Sequence, residues 1–324
     1  WWPHKVVQPK RPSKVPASIR IASVKKKEDR VGNADWIHLH RLASLSDLGV
    51  NDFRYSLYRA NVTLDANQVA KERFLLFNMY TRDIVSVQVY GKNVKRLFPD
   101  HADAQSWTTR DCFQQIRPNE YDNRFDVSGT LRVGENEIVV VYENLGHAHG
   151  YFPMEELAGI REAGLSITET ALTHPLEWDY SADVAGISEG WNLPDFEPKD
   201  WEAVNLDVQC KIPRKGNGVQ PKSVADGLFT WYRIEFELPE QKKGIWIPWL
   251  ARINASGNGY MWLNGHNIGR HWEAGPQREY FLPECWLNFG GKKNVLVLGL
   301  RQTVNGALLN ALEILPYPEM AEIR

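Results

Sequence analysis

The chain has little sulfur, almost no net charge and no long apolar run. Its 324 residues hold three cysteines, Cys112, Cys210 and Cys285, and four methionines. The cysteines are too widely spaced for a zinc or dithiol motif and allow at most one disulfide, which excludes a disulfide-framed scaffold. A formal net charge of -2 and a pI near 6.6 leave no electrostatic case for nucleic acid or an anionic membrane as partner. No apolar stretch approaches the roughly 20 residues that span a bilayer. The chain opens Trp1-Trp2-Pro3-His4-Lys5, without Met and without an apolar segment behind a basic start, so it reads as a mature or excised piece of something longer.

What is present is aromatic and β-patterned. There are 13 tryptophans, 12 tyrosines and 12 phenylalanines, and the 43% hydrophobic and 24% charged fractions are those of a folded globular protein. The length suits two domains of roughly 150 residues each. The first 20 residues carry Pro3, Pro9, Pro12 and Pro16 among basic residues and are expected to lie extended or to act as a linker. From Ile19 onward, apolar residues recur with period two or in short runs bounded by Gly, Asn, Asp and Pro, as in Ser56 to Leu64, Phe74 to Tyr80, Ile84 to Tyr90 and Trp231 to Leu238. That is an all-β signature, and the one segment with helical character is the short Met154 to Ile160. Lysines 25 to 27 read as a solvated turn.

The two halves repeat. Tyr58-Arg59 recurs as Tyr232-Arg233, and Val89-Tyr90-Gly91-Lys92-Asn93 as Leu263-Asn264-Gly265-His266-Asn267, both 174 positions later. Gly134-Glu135-Asn136 feeding Ile138 to Val141 recurs as Gly291 to Asn294 feeding Val295 to Leu298 at a shorter offset, so the first copy has the longer insertion. Asn264-Gly265 supplies the pair of positive φ angles that a type I′ hairpin needs. Each copy reads as a strand, a Gly-turn hairpin, a loop and a turn into a buried strand. The expected fold is all-β, two tandem antiparallel β-sandwiches. Residues 1–29 form an extended lead-in with a strand, 30–165 the first domain and 166–324 the second. Most of the tryptophans then belong to sandwich cores, which large rings fill well.

The run Trp231-Tyr232-Arg233, Gly259 to Gly269, Trp272, Gly275-Pro276-Gln277, Tyr280 to Pro283, Trp286-Leu287 and Asn294 resembles the last jelly roll, a galactose-binding-like domain, of glycoside hydrolase family 35 β-galactosidases. The first half resembles the preceding jelly roll of these enzymes more weakly, through Tyr58-Arg59, Val87 to Asn93, Glu143 to Gly146 and Met154 to Leu165. Gly186-Ile187-Ser188-Glu189-Gly190-Trp191 resembles the segment that opens the final domain. The resemblance implies a retaining β-galactosidase whose two catalytic glutamates sit on a (β/α)₈ barrel preceding these domains. No alternating strand and helix pattern for a barrel exists in this chain. It is therefore expected to be a non-catalytic region that braces a barrel lying elsewhere and presents a surface to β-galactosides, inactive by itself, with no cofactor and no metal. A free-standing lectin-like module and one half of a two-chain active β-galactosidase stay open as alternatives. By the same resemblance the setting is extracellular, periplasmic or lysosome-like; Asn61-Val62-Thr63 and Asn254-Ala255-Ser256 are sequons that permit secretion without showing it.

Three motifs invite catalytic or metal readings that their context opposes. Asn119-Glu120-Tyr121 lies between Pro118 and a polar run, not at the end of a buried strand. Gly186 to Gly190 spells a nucleophile-elbow pattern, but Trp191-Asn192-Leu193-Pro194 breaks the helix that must follow it. His147 and His149 could be half of a metal site, without an evident third ligand. No catalytic residue is assigned. The candidates for sugar contact combine flat rings with planar donors: Arg270, His271 and Trp272 first, then Trp262, His266, Gln277 and Tyr280. Alternation requires that either Tyr260 and Trp262 or Met261 and Leu263 face the core. The same polar groups would equally serve packing.

Overall fold

The computed structural model describes residues 19–29, 34–51, 54–80, 83–94, 96–98, 121, 123–144, 157–206, 229–241, 247–273, 277–302 and 306–317. The Pro-rich residues 1–18, Asn119 and Glu120, His147 and His149, Cys112 and Cys210, and residues 154–156 of the Met154 segment lie outside these residues. Among the described residues no helix is long and apolar enough to cross a membrane.

Two β-sandwiches account for nearly all of it. In the first, the large sheet runs Ile37–Leu39, Trp178–Ser181, Tyr55–Leu64, Gly134–Glu143, Ile84–Val89, Lys92–Asn93, and it faces a sheet of His174–Pro175, Ile160–Ser166, Phe74–Met79, Asn123–Asp126 and Arg96–Phe98. In the second, the large sheet runs Glu202–Ala203, Ile21–Asp29, Phe229–Glu237, Lys293–Arg301, Asn258–Leu263, His266–His271, and it faces Glu279–Leu282, Trp249–Ala255 and Leu309–Pro316. The repeated segments thus hold the same places in the two large sheets. Every recorded pairing between these strands is antiparallel.

Alternation decides what each core contains. In the first sandwich Tyr58, Ala60 and Val62 meet Val85, Val87, Ile138, Val140 and Tyr142 from the same sheet and Leu75, Phe77 and Phe125 from the other. In the second, Tyr232, Ile234 and Phe236 meet Met261, Leu263, Leu296, Leu298, Trp249 and Ile253. Each large side chain so buried stabilises its sandwich by about 1.5–3 kcal/mol.

The hairpin turns and the buried asparagines of the repeat form one device in each copy. Tyr90 and Asn264 are the two described non-glycine residues with positive φ, 52° and 49°, each followed by a glycine at 72° or 88°. Both positive angles make a type I′ turn, whose twist suits a two-residue hairpin. Asn136 and Asn294 are buried, and the side-chain amide of each bonds both backbone groups of one earlier residue. Asn136 accepts from the Arg132 N–H at 2.9 Å and donates to the Arg132 carbonyl at 2.8 Å; Asn294 does the same with Asn288, at 2.8 Å each. The turn residue then touches this amide: the Tyr90 hydroxyl donates to Asn136 Oδ1, and Asn264 Nδ2 donates to Asn294 Oδ1 at 2.9 Å. Two different side chains close the same link.

The domain limits differ from the sequence reading. Among the described residues, one compact unit is Asp29–Glu189, and the other combines those up to Glu28 with those from Gly190 onward. Residues 166–189, expected in the second domain, belong to the first: His174–Pro175 pairs with Ile160–Ser166, and Trp178–Ser181 pairs with both Ile37–Leu39 and Tyr55–Leu64. Lys25 to Lys27 are not a turn. They lie in the strand Ile21–Asp29, whose Lys25 and Lys26 pair with Ala203 and Glu202 in the second sandwich. Ile160 opens a strand instead of closing a helix. A period-two pattern identifies a strand but carries no record of which distant strand will take its free edge.

Candidate functional site

The hairpin Asn258–Leu263 to His266–His271 carries five of the seven candidates or flanks them. Its register slips between Met261 and Trp262, which pair with Gly269 and Asn267, so Ile268 is the extra residue of a bulge. Asn267 Oδ1 accepts from the Gly269 N–H at 2.9 Å and holds the kink. Directly opposed residues share a face. Leu263 with His266 and Gly259 with His271 therefore lie on the core side, while Tyr260 with Arg270 and Trp262 with Asn267 lie on the outer side. Met261 and Leu263 are the pair in the core, and Tyr260 and Trp262 the opposing pair.

Three candidates are nevertheless inside and offer no surface to a ligand. Trp262 is 8% exposed and stacks on Trp231 with centroids 5.4 Å apart. Trp231 meets Trp191 edge-on at 5.9 Å, and Trp191 meets Trp201 at 5.3 Å, so the segment after Gly190 roofs this outer face with rings. Arg233, 1% exposed, anchors the roof by donating to the carbonyls of Leu193 at 2.9 Å and Pro194 at 2.7 Å. His271 is fully buried, its ring 2.9 Å from the Tyr280 hydroxyl and 3.2 Å from the Ala255 carbonyl. Burial pushes the His271 imidazole down to about 4 and the Tyr280 phenol up to about 12. Rings with a polar tip suit a core corner as well as a sugar, and these three are core.

The other four sit at the surface in three places. His266 stacks on Trp286 at 4.7 Å on the core side of the hairpin tip. The Arg270 guanidinium lies 4.5 Å over the half-buried Trp272 ring on the outer side. The loop beneath that ring is pinned: Arg278 donates to the carbonyls of Trp272 and Glu273, Glu273 accepts from the Gly257 N–H, and Asn258 accepts from the Glu273 N–H. Gln277 is exposed and donates to the Glu279 carbonyl at 3.2 Å. They do not converge on one sugar-sized spot.

A more coherent surface lies on the outer face of the three-stranded sheet. Arg252 in the middle strand is flanked by Glu279 at 2.7 Å and Glu313 at 3.2 Å. The next row on the same face is Phe281, Leu250 and Leu315, opposed across the same strands; Leu250 is covered, at 1% exposed, and Leu315 is half-buried, so Phe281 alone of this row is open. Phe281 is 49% exposed, roughly 7 Å along its strand from Glu279. An open ring stands beside two carboxylates that share one guanidinium, which leaves the row net negative. This geometry suits binding and not the hydrolysis of a glycoside, because retaining chemistry needs the scissile bond between two carboxylates, and here the cation fills that space. These residues were missed, although the alternation of Tyr280 and Leu282 with Phe281, and of Ala251 and Ile253 with Arg252, carries the signal. In the first sandwich Arg59 lies 4.4 Å over Trp36 and donates to Asp179 at 2.9 Å, and His38 lies 3.2 Å from the same carboxylate. The hydrogen bond from Arg59 does most to hold the Asp179 carboxyl below its usual range, against the opposing effect of burial.

The elbow pattern has no elbow: Ser188 is the last residue of the helix Ala185–Ser188, and the Gly186 N–H is held by Asp29 at 3.0 Å.

Comparison with known proteins agrees with this scaffold. Residues 229–293 match the galactose-binding domain of beta-galactosidases. Beta-galactosidase 14 of Arabidopsis thaliana is 36% identical over 265 residues, 69% of this chain and 28% of that protein. Beta-galactosidase 11 of the same plant is 28% identical over 186 residues, 54% of this chain and 19% of that protein. The chain thus spans 28% and 19% of the length of these two relatives.

Proposed function

We propose, for a chain whose second sandwich matches the galactose-binding domain of β-galactosidases, that it is a non-catalytic carbohydrate-binding region of a larger β-galactosidase of glycoside hydrolase family 35. Its partner is then a (β/α)₈ catalytic domain, which the two sandwiches brace, and its setting is extracellular, periplasmic or lysosome-like. The observation that carries the binding part is Phe281 beside the Glu279–Arg252–Glu313 row. The apolar C–H face of a pyranose stacks on the ring, and its hydroxyls donate to carboxylate oxygens that Arg252 leaves open. Gln277 adds an amide at the rim. Arg270 and Trp272 form a second, weaker contact on the opposite sheet.

Calorimetric titration with methyl β-galactoside tests the reading. Saturable binding by the intact chain that disappears in Phe281→Ala supports it, and no binding at millimolar sugar removes the carbohydrate role. Turnover of a chromogenic β-galactoside by the purified chain would overturn the non-catalytic assignment.

A further inference from the structure

We propose that Asn61 is the acceptor of an N-linked glycan. Asn61 and Thr63, the two chemically required members of the sequon Asn61-Val62-Thr63, are both exposed and stand on the outer face of the strand Tyr55–Leu64, with Val62 buried in the core between them. The face around them is bare and polar: the opposed residues Glu137 and Glu135 are exposed too. Farther along the same strand the outer face is closed, with Leu57 only 1% exposed. The neighbouring strand Trp178–Ser181 pairs with residues 57 to 59 and stops there. Beyond Arg59, among the described residues, one edge of this strand has no partner strand. A glycan on Asn61 would stand clear of the core and cover an open edge, the kind of edge that otherwise invites strand addition.

The second sequon makes an internal contrast. Asn254 is half-buried on the middle strand of its sheet, and Ser256 is 4% exposed with its hydroxyl accepting from the Leu308 N–H at 3.0 Å. Nothing there resembles the open surface at Asn61.

The modification is a glycosyl transfer from a polyprenyl-diphosphate-linked oligosaccharide, the donor of the secretory route. The bond from the anomeric carbon to the diphosphate oxygen breaks, and a bond from that carbon to Asn61 Nδ2 forms. One amide proton leaves, and the polyprenyl diphosphate departs with the bonding pair; nothing is oxidised or reduced. The outcome does not depend on whether the chain binds sugar.

The test is to express the full chain behind a secretion signal in insect cells and analyse both the medium and the retained protein. Peptide N-glycosidase treatment in heavy-oxygen water should convert Asn61 to a labelled Asp, and Thr63→Ala should lose one glycan-sized mass step that Thr63→Ser and Asn254→Gln keep. An Asn61 peptide recovered unlabelled from both fractions, or a mass step lost in Asn254→Gln and retained in Thr63→Ala, would overturn the proposal. Reading the wild-type peptide keeps the result independent of how the variants fold.

Discussion

The Tyr280 hydroxyl lies 2.9 Å from His271 Nδ1 and joins the two sheets of the second sandwich through one buried bond. The other ring nitrogen faces the Ala255 carbonyl at 3.2 Å, and a carbonyl can only accept. Nε2 therefore carries the proton, Nδ1 accepts, and the tyrosine hydroxyl donates to it, leaving its 3.3 Å approach to the Gln277 carbonyl as a contact without a hydrogen. The arrangement requires a neutral imidazole. A charge on this ring is opposed by its burial and by the Arg278 and Arg270 cations nearby.

That requirement sets an acid limit on stability. His271 is held near 4 in the folded protein against 6.5 for a free side chain. The unfolded chain thus binds the extra proton first as pH falls. The stabilisation is complete above about pH 6.5 and is lost progressively down to about pH 4, on the order of 3 kcal/mol in all. Urea midpoints between pH 7.5 and 4.5 should fall steeply for the parent chain and less steeply for His271→Gln, which has no group to titrate. Parallel slopes would show that His271 is not the titrating group.

Aromatics on the outer faces of the two sheets should respond in opposite ways. Phe281→Ala removes a ring that is half in water and should leave the melting temperature nearly unchanged, within about 0.5 kcal/mol, while abolishing β-galactoside binding. Trp262→Ala removes half of the stack with Trp231 and should cost about 3–5 kcal/mol. Thermal melts and calorimetry of the two variants together separate a binding ring from a packing ring.

Asn136→Ala and Asn294→Ala should behave alike despite the distance between them. Each strips partners from both the N–H and the carbonyl of one loop residue, at about 1–3 kcal/mol for each group left unsatisfied. A total loss of roughly 2–4 kcal/mol in denaturant titration is expected for either variant. A loss below about 0.5 kcal/mol would mean that water replaces the amide and that the loop closure is decorative.

Gly299 has a different reason to be glycine. A Cβ there would sit 2.9 Å from two carbons of the Trp231 ring, which is stacked on Trp262 and cannot retreat. Gly299→Ala should cost about 1–3 kcal/mol by overpacking. Gly91→Ala meets no atom within 4 Å, so its smaller penalty should come from φ of 72° alone, about 1–2 kcal/mol. Equal losses in the two variants would refute the packing explanation.

Much of this was legible beforehand because it is local. The 174-residue offset between Gly91 and Gly265 reflects two turns with similar positive φ angles, and the asparagine shared by Gly134-Glu135-Asn136 and Gly291 to Asn294 reflects the same bonds to backbone. The candidate site was less legible. His271 and Trp262 were chosen for chemistry that fits a sugar, and both are buried. The Ile268 bulge placed His266 and Arg270 on opposite faces of the sheet, which spacing alone could not show.

The sequence by itself determined the all-β class, the alternation within most strands, the type I′ turn at Asn264-Gly265 and the twofold repeat, since each depends on φ preferences and on a period of two within a few residues. Tertiary structure alone decided that Ile21–Asp29 completes the second sandwich, that residues 166–189 complete the first, and that Arg252 meets Glu279 and Glu313 beside an open Phe281. Those outcomes rest on which distant edges pair. That choice is made by the burial and hydrogen bonding of whole sheets, and no short window of residues contains it.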